Sequence, residues 1–343
     1  MTRALRPPQR VFSVDPGGMS PEAPHKLLPR TQADMQIQQE ETTFPSTKPC
    51  VADIWGGSTT RDIHQKIWRP ESKPRGVLGI IHGIGEHSGR HDSSARFFAE
   101  RGFLVSSFDI RGHGKSPGRR GHVESWEDLR SDIGTFLTSL RDREGKHPTF
   151  LYGHSLGALA ALDFILKEKK EDATRPDPQS PRLLGLITSS APLAPANIPW
   201  IKTTIAYMLG RTPILRRLHI TNGIDPSTIS RDPAEVQRYV DDDSNHNQVT
   251  PAMGSEFERI RIEVLGNAAA LRIPILMFHG SGDQLTPVEG TKRFYENLPT
   301  DLDRDCVIIE EARHEIHHDL EAARDLMLTR WLTWMEERLR KMD

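Results

Sequence analysis

The sequence predicts an α/β protein with a mostly parallel central sheet, helices on both faces of that sheet, and a helical cap inserted between two late strands. Short apolar runs alternate with helical patterns from residue 37 to the C-terminus, an order that favours a parallel sheet covered on both sides. The runs are apolar at consecutive positions, as strands buried on both faces are. Residues 195–266 interrupt the alternation with helix-like segments and no convincing strand.

The individual elements follow from the same patterns, in chain order. Core strands are predicted at residues 76–82, 103–109, 149–153, 183–189, 274–279 and 306–310. Helices are predicted at residues 93–101, 126–141, 158–167 and 320–340. Ahead of the core, residues 36–43 and 62–69 alternate apolar and polar side chains, which favours an antiparallel hairpin at an edge of the sheet.

These patterns divide the 343 residues into four segments. Residues 1–36 contain six prolines and scarcely any aromatic or β-branched residues, so a disordered N-terminal tail is expected. Residues 37–194 form the first part of an α/β core, residues 195–266 the inserted cap, and residues 267–343 the second part of the core.

Charge and cysteine content exclude several classes of protein. The chain has 45 Lys and Arg against 47 Asp and Glu, so its overall charge gives no reason to expect a nucleic-acid partner. Cys50 and Cys306 lie far apart without a zinc-type spacing, which argues against a disulfide framework. No run reaches the roughly 20 apolar residues of a membrane span. A cytoplasmic protein is expected, and the sequence leaves its oligomeric state open.

The pentapeptide 153–157, Gly-His-Ser-Leu-Gly, fits the G-x-S-x-G pattern of a nucleophilic serine. An apolar strand precedes it and an alanine-rich helix follows it, which is the context that the pattern requires. The two glycines let the chain turn from strand to helix sharply enough to present the hydroxyl of Ser155. The helix N-terminus adds a positive dipole end where negative charge develops.

A serine nucleophile needs a base, and the base needs an acid that orients it. Asp283 follows the strand at 274–279, and His314 follows the strand at 306–310, so both are expected at the carboxyl ends of strands, where open α/β sheets collect functional groups. The alternative for Asp283 is a turn-forming role in a glycine-rich loop. For His314, the neighbouring His317 and His318 are alternatives.

Two other signatures compete in the same sequence. Residues 314–318 satisfy H-E-x-x-H, but the metalloprotease site needs that motif inside a helix, whereas here it follows closely on a strand. Residues 114–116, Gly-Lys-Ser, end like a phosphate loop, but Asp109 stands where the first glycine belongs. Neither metal nor nucleotide binding is expected.

Acyl transfer also needs two backbone N–H groups directed at the oxyanion. One is expected from Leu156, the residue after the nucleophile, and the other from the loop after an early strand. Residues 82–87 form that loop directly after the first core strand. The second donor is therefore assigned to the N–H of Ile84.

Five motifs in this order resemble the monoacylglycerol lipases and their lysophospholipase-like relatives, which are serine hydrolases of the α/β-hydrolase fold. They are HGIGEHSGR at 82–90, DIRGHGKS at 109–116 with RGHV at 120–123, GHSLG at 153–157, GSGDQLTP at 280–287 and HEIH at 314–317. The resemblance spans residues 36–339. It departs at Ile84, where many relatives have a smaller residue, and at the cap segment 241–248.

The resemblance implies hydrolysis of a single-chain lipid ester to fatty acid and glycerol through an acyl-enzyme, without a cofactor. It supports Ser155, Asp283 and His314 as the triad. It also implies that Glu86, Arg90 and His317 line the alcohol end of the substrate, although Glu86 and Arg90 could instead pair and tie down their loop. A lysophospholipase, a general carboxylesterase, and a non-catalytic lipid-binding protein of this fold are the alternative functions.

The cap segment 195–220 combines apolar side chains with basic ones and holds no acidic residue. An apolar surface flanked by positive charge is typical of a helix that lies in a lipid interface. The same residues could instead line an acyl pocket and pack the cap on the core. The two roles are compatible, so a peripheral contact between the cap and a membrane is an open interpretation beside the role in pocket and core.

Overall fold

The architecture is that of a nine-stranded sheet flanked by helices, in a computed structural model that describes residues 10–15, 37–52, 55, 57, 59–171, 183–195, 209 and 212–342. The strands are β1 (Arg10–Val14), β2 (Gln38–Pro45), β3 (Asp62–Arg69), β4 (Gly76–Ile81), β5 (Phe103–Phe108), β6 (Thr149–His154), β7 (Leu183–Ser189), β10 (Ile275–Gly280) and β11 (Arg304–Ile309). Two short strands, β8 (Ile220–Thr221) and β9 (Gln248–Val249), pair with each other.

Seven α-helices lie within the described ranges. We number them α1 (Asp92–Ala99), α2 (Trp126–Glu144), α3 (Leu156–Glu171), α4 (Pro233–Asp241), α5 (Pro251–Gly266), α6 (Val288–Glu296) and α7 (Glu321–Arg340). None of these helices is long and apolar enough to cross a bilayer.

The order of strands in the sheet is β1-β11-β10-β7-β6-β4-β5-β3-β2. Strand β3 is antiparallel to both β2 and β5, and the other neighbours run parallel. The prediction of a mostly parallel sheet is confirmed, and each of the six predicted core strands is present. Strands β4, β6 and β10 are buried at every position, which explains why their sequences are apolar without alternation.

The core is divided by the sheet into two apolar layers. One layer is built with Leu129 and Ile133 of α2 and Leu159 of α3. The other is built with Phe98 of α1 and Trp331 of α7. Helices therefore cover both faces, and the carboxyl ends of the parallel strands are left as the edge at which loops converge.

Two local expectations differ from the structure. Residues 10–14, which fall in the segment expected to be a disordered tail, form β1 and pair in parallel with β11. Val11, Phe12 and Val14 supply β-forming residues there, and the surrounding prolines hide that signal when composition is averaged over the whole tail. The segment expected to be a cap without strands contains β8 and β9 besides α4 and α5.

Gly185 on β7 lets α7 approach the sheet, because a Cβ at this position would clash with the indole of Trp334. We expect Gly185→Ala to lower the free energy of unfolding by about 1–3 kcal/mol, the usual cost of overpacking. Urea unfolding measures this change. The matched control is Gly134→Ala on α2, where the nearest atom to a new Cβ would be Phe164 Cε2 at an ordinary 3.6 Å. Equal losses in the two variants would contradict the close-approach explanation.

Candidate active site

Ser155 stands alone between β6, which ends at His154, and α3, which begins at Leu156. Its backbone φ is +50°, in the left-handed region that a non-glycine residue rarely adopts. A Cβ at Gly153 would clash with the carbonyl oxygen of Gly157, and one at Gly157 would clash with that of Ile81. Only glycines at both positions allow a one-residue turn, and the turn holds Ser155 in its strained conformation.

Asp283 and His314 lie in the loops that follow β10 and β11, and His314 Nδ1 is 2.8 Å from Asp283 Oδ2. The other oxygen, Oδ1, accepts hydrogen bonds from the backbone N–H groups of Leu285 and Thr286, each at 2.9 Å. These bonds fix the carboxylate, so the imidazole is held with its proton on Nδ1 and a free electron pair on Nε2.

The attraction between Asp283 and His314 shifts the pKa of each group in the direction opposite to the effect of burial. Desolvation by itself would raise the pKa of Asp283, but the attraction of His314 and hydrogen bonds from His279 and His314 hold it well below its usual range. Desolvation would likewise lower the pKa of His314, but the charge of Asp283 and its hydrogen bond raise it above 6.5. Asp283 therefore stays ionised, and His314 is a stronger base than a free imidazole.

The loop 82–87 follows β4, which lies next to β6 in the sheet, and it extends to Ser155. A Cβ at Gly83 would lie 3.2 Å from Ser155 Cβ, so this backbone passes directly beside the Ser155 side chain. Ile84 is half-buried in that loop and packs against the core. Leu156 is the first residue of α3, and the N–H groups of a first turn have no partner within the helix. The structure thus brings both expected donor segments to Ser155.

Glu86, Arg90 and His317 meet in one buried cluster, in which the ring of His317 contacts that of His154. They are 2%, 8% and 1% exposed, and Arg90 Nε lies 3.7 Å from Glu86 Oε2. The ring of His317 stacks on that of His91, with centroids 4.8 Å apart. Glu86 Oε2 and both ring nitrogens of His317 have no hydrogen-bond partner in the described part of the chain.

Sequence reasoning missed two members of this cluster, Glu315 and His318. Arg90 Nη2 lies 2.5 Å from Glu315 Oε2 and 3.0 Å from His318 Nδ1. Burial alone would raise the pKa of Glu315, but Arg90 and His318 lower it to about 2. Glu315 and His318 belong to the H-E-x-x-H stretch, so the sequence did single out both residues. That motif is typical of zinc ligands, however, and does not predict a contact with Arg90.

The geometry of the cluster does not suit a metal ion. The described residues contain two candidate groups of ligands, Glu86 with His91 and His317, and Glu315 with His317 and His318. In the first group the two imidazoles are stacked with an interplanar angle of 16°, and parallel rings cannot both direct nitrogen lone pairs at one ion in their own planes. In the second group the Arg90 guanidinium already provides the cation.

The zinc and phosphate signatures in the sequence are accounted for in other ways. His314 and His318 are not on one helix face, since only Ile316–His318 form a short 3₁₀ turn and each histidine has its own carboxylate, Asp283 and Glu315. The carboxylate of Asp109 accepts the backbone N–H of Lys115 at 2.8 Å. This backbone N–H therefore already has an anionic partner within the chain.

The cap touches the core at several places, and two of these contacts join it to Glu124 and to the loop 82–87. Glu124 of the core pairs with Arg216 at 3.0 Å and with Arg217 at 2.9 Å. The backbone N–H of His246 donates to Gly85 O, at 2.8 Å. Most of the predicted apolar face of the cap lies in residues 196–208, outside the described residues.

Residues 72–321 match the serine aminopeptidase S33 family, called Hydrolase_4. The chain belongs to this family. Like other members, it is a serine hydrolase of the α/β-hydrolase fold, and the fold expected from the five motifs is confirmed.

The relatives of this S33-family chain include lipases. It is 28% identical over 275 residues to the monoglyceride lipase of Homo sapiens, which covers 80% of this chain and 86% of the human protein. It superposes on the monoacylglycerol lipase of Paleococcus ferrophilus with a TM-score of 0.68 and 28% identity, over 89% of this chain and 100% of the other. An uncharacterized abhydrolase domain-containing protein of Dictyostelium discoideum is 33% identical over 283 residues, covering 82% of this chain and 28% of that longer protein.

We expect Asp283→Asn to lower the pKa of His314, because the amide removes the negative charge that stabilises the imidazolium. An NMR titration of the histidine ring protons measures the shift. His154 is an internal reference, since burial and the neighbouring His314 lower its pKa to about 3, so its ring should not titrate near neutrality in either protein. An unchanged His314 titration in the variant would contradict the electrostatic coupling.

Proposed function

We propose that this chain hydrolyses monoacylglycerols to a fatty acid and glycerol through an acyl-enzyme on Ser155. In the proposed reaction His314 Nε2 takes the proton of the serine hydroxyl while the oxygen attacks the ester carbonyl, and Asp283 stabilises the resulting imidazolium. The N–H groups of Ile84 and Leu156 stabilise the oxyanion. His314 then protonates the departing alcohol, and water releases the fatty acid by the same steps.

The strongest support is a strained serine at the end of β6 with a carboxylate-bound histidine at the same edge of the sheet. The rings of His154, next to Ser155 in the chain, and His314 have centroids 4.9 Å apart. Ser155 keeps a φ of +50° although this conformation is unfavourable for a non-glycine residue. Backbone strain of this kind is concentrated at functional sites. A non-catalytic lipid binder would have no use for this combination.

The buried cluster supports a polyol as the leaving group. Glu86 Oε2 and the two ring nitrogens of His317 are polar atoms with unused hydrogen-bonding capacity. Such buried atoms carry a cost that hydroxyl groups of a bound ligand relieve. We therefore propose that Glu86, Arg90 and His317 face the glycerol end, with Arg90 held in place by Glu315. The names of the human and Paleococcus relatives point to the same substrate.

We further propose that the cap makes a peripheral contact with lipid through residues 214–220. Ile214, Leu215, Leu218 and Ile220 are 44%, 40%, 37% and 42% exposed. The basic contribution expected from this segment needs correction, because Arg216 and Arg217 are both paired with Glu124. Their charges serve the attachment of the cap, so apolar area is the main source of affinity for a lipid surface.

Ser155→Ala should lower turnover of a monoacylglycerol by roughly 10³-fold or more, because the acyl-enzyme can no longer form. The variant should keep the unfolding midpoint of the wild type and lose labelling by a fluorophosphonate probe. Retention of a tenth of the activity would refute Ser155 as the nucleophile. In the wild type, faster turnover of lysophospholipids or peptides than of monoacylglycerols with the same acyl chain would refute the substrate.

The double variant Ile214→Ser, Leu215→Ser should weaken flotation with phosphatidylcholine vesicles to a similar degree at low and high salt, because the lost contribution is apolar area and not charge. Leu320→Ser is the matched control, since Leu320 is also 44% exposed but lies outside the cap. Absence of flotation in the wild type, or an equal loss in the control, would refute the lipid contact.

A further inference from the structure

His82 is a fully buried histidine whose ring lies between two backbone groups of different loops. Its Nε2 is 2.8 Å from the backbone nitrogen of Ile110, and its Nδ1 is 2.7 Å from Gly83 O. A backbone N–H can only donate, so Nε2 must be the unprotonated nitrogen. The proton is then on Nδ1 and is donated to Gly83 O. Burial lowers the pKa of His82, which keeps the ring in this neutral form.

The carbonyl of Gly83 belongs to the same peptide group as the N–H of Ile84. In a trans peptide these two groups point in opposite directions. A hydrogen bond that fixes the direction of Gly83 O therefore also fixes the direction of the Ile84 N–H. The same bond polarises the peptide group and makes that N–H a stronger donor.

Glu86 holds the other side of Gly83. Its Oε1 accepts a hydrogen bond from the backbone N–H of Gly83 at 2.5 Å. A Cβ on Gly83 would lie 2.9 Å from this oxygen and 3.2 Å from Ser155 Cβ, so the held backbone is wedged between the carboxylate and the nucleophile. Both peptide groups of Gly83 are thus fixed by buried side chains.

We propose that His82 is a positioning residue that directs the Ile84 N–H toward the oxyanion, with Glu86 as the second support of the same loop. This inference rests on the proposed function, because it takes the Ile84 N–H as an oxyanion donor. His82 itself touches no reacting atom. Its contribution is realised in the transition state, so it should appear in kcat and not in KM.

Two isosteric substitutions separate the two bonds of His82. The amide nitrogen of Asn takes the place of Nδ1, so His82→Asn keeps a donor for Gly83 O and loses the acceptor for Ile110. The amide oxygen of Gln reaches the place of Nε2, so His82→Gln keeps the acceptor for Ile110 and loses the donor for Gly83 O. A purely structural role predicts similar losses in both variants.

We expect His82→Gln to lower kcat by about 10- to 100-fold with KM nearly unchanged, since one misdirected oxyanion donor costs up to that order. His82→Asn should recover most of this loss. Both effects should be the same on a monoacylglycerol and on the p-nitrophenyl ester of the same fatty acid, because the two substrates share the oxyanion and differ in the leaving group. Thermal unfolding of the full chain checks that each variant is folded.

The matched control is His113→Gln. His113 is also fully buried, its Nδ1 lies 3.1 Å from a backbone carbonyl, that of Arg111, and its ring centroid is 5.4 Å from that of His82. It makes no contact with Gly83 in the described structure, so its kcat should stay near that of the wild type. Equal losses in His82→Asn and His82→Gln, a loss confined to KM, or an equal loss in His113→Gln would each overturn the proposal.

Glu86→Leu, which removes the acceptor for the Gly83 N–H, tests the second support if the His82 variants do not fold. On the p-nitrophenyl ester, which has no glycerol, a lower kcat supports the positioning role, and an unchanged kcat overturns it. The test is separable from the proposed function. Activity that survives in Ser155→Ala refutes the nucleophile, and a wild type that cleaves only the p-nitrophenyl ester refutes the substrate, while the His82 comparison is still read on that ester.

Discussion

The site depends on one constraint, the one-residue turn between β6 and α3. A strand and a helix joined this tightly leave no room for side chains at Gly153 and Gly157, and they hold Ser155 at a φ of +50°. The strain is stable because both neighbours of the turn are deeply packed: β6 is buried at every position, and Leu156, Ala158 and Leu159 of α3 are buried in the core. The packing of the core therefore offsets the conformational strain at Ser155.

The second requirement is that buried charge near the serine be compensated. Glu86, Arg90 and Glu315 are almost excluded from water, and each of these charges would be costly there in isolation. Their mutual arrangement, with Arg90 bound to Glu315 and Glu86 bound to the Gly83 backbone, makes burial tolerable. The same bonds hold the loop 82–87 beside Ser155. Charge compensation and positioning of the loop 82–87 are thus achieved by one set of contacts.

The cap is joined to the core by contacts that also explain why certain positions are glycine. Gly85, with a φ of +78°, lies against the carbonyl of His246, and Gly121, with a φ of +57°, lies against that of Gln248. A side chain at either position would push the cap away from the site. The cap segment 241–248 is therefore in direct contact with the loop that carries Ile84.

The sequence by itself determined the fold class, the six core strands and the G-x-S-x-G turn, because continuous apolarity and the demand for glycine are local properties of the chain. It also proposed Asp283 and His314, since loops that follow parallel strands must meet at one edge. Only the tertiary structure decided that Glu315 and His318 bind Arg90, that Glu124 takes up the charges of Arg216 and Arg217, and that residues 10–14 extend the sheet. These contacts join residues as far apart as Arg90 and His318 or Arg10 and Asp305. Their existence depends on how the packed elements bring distant side chains together, and no local pattern records that.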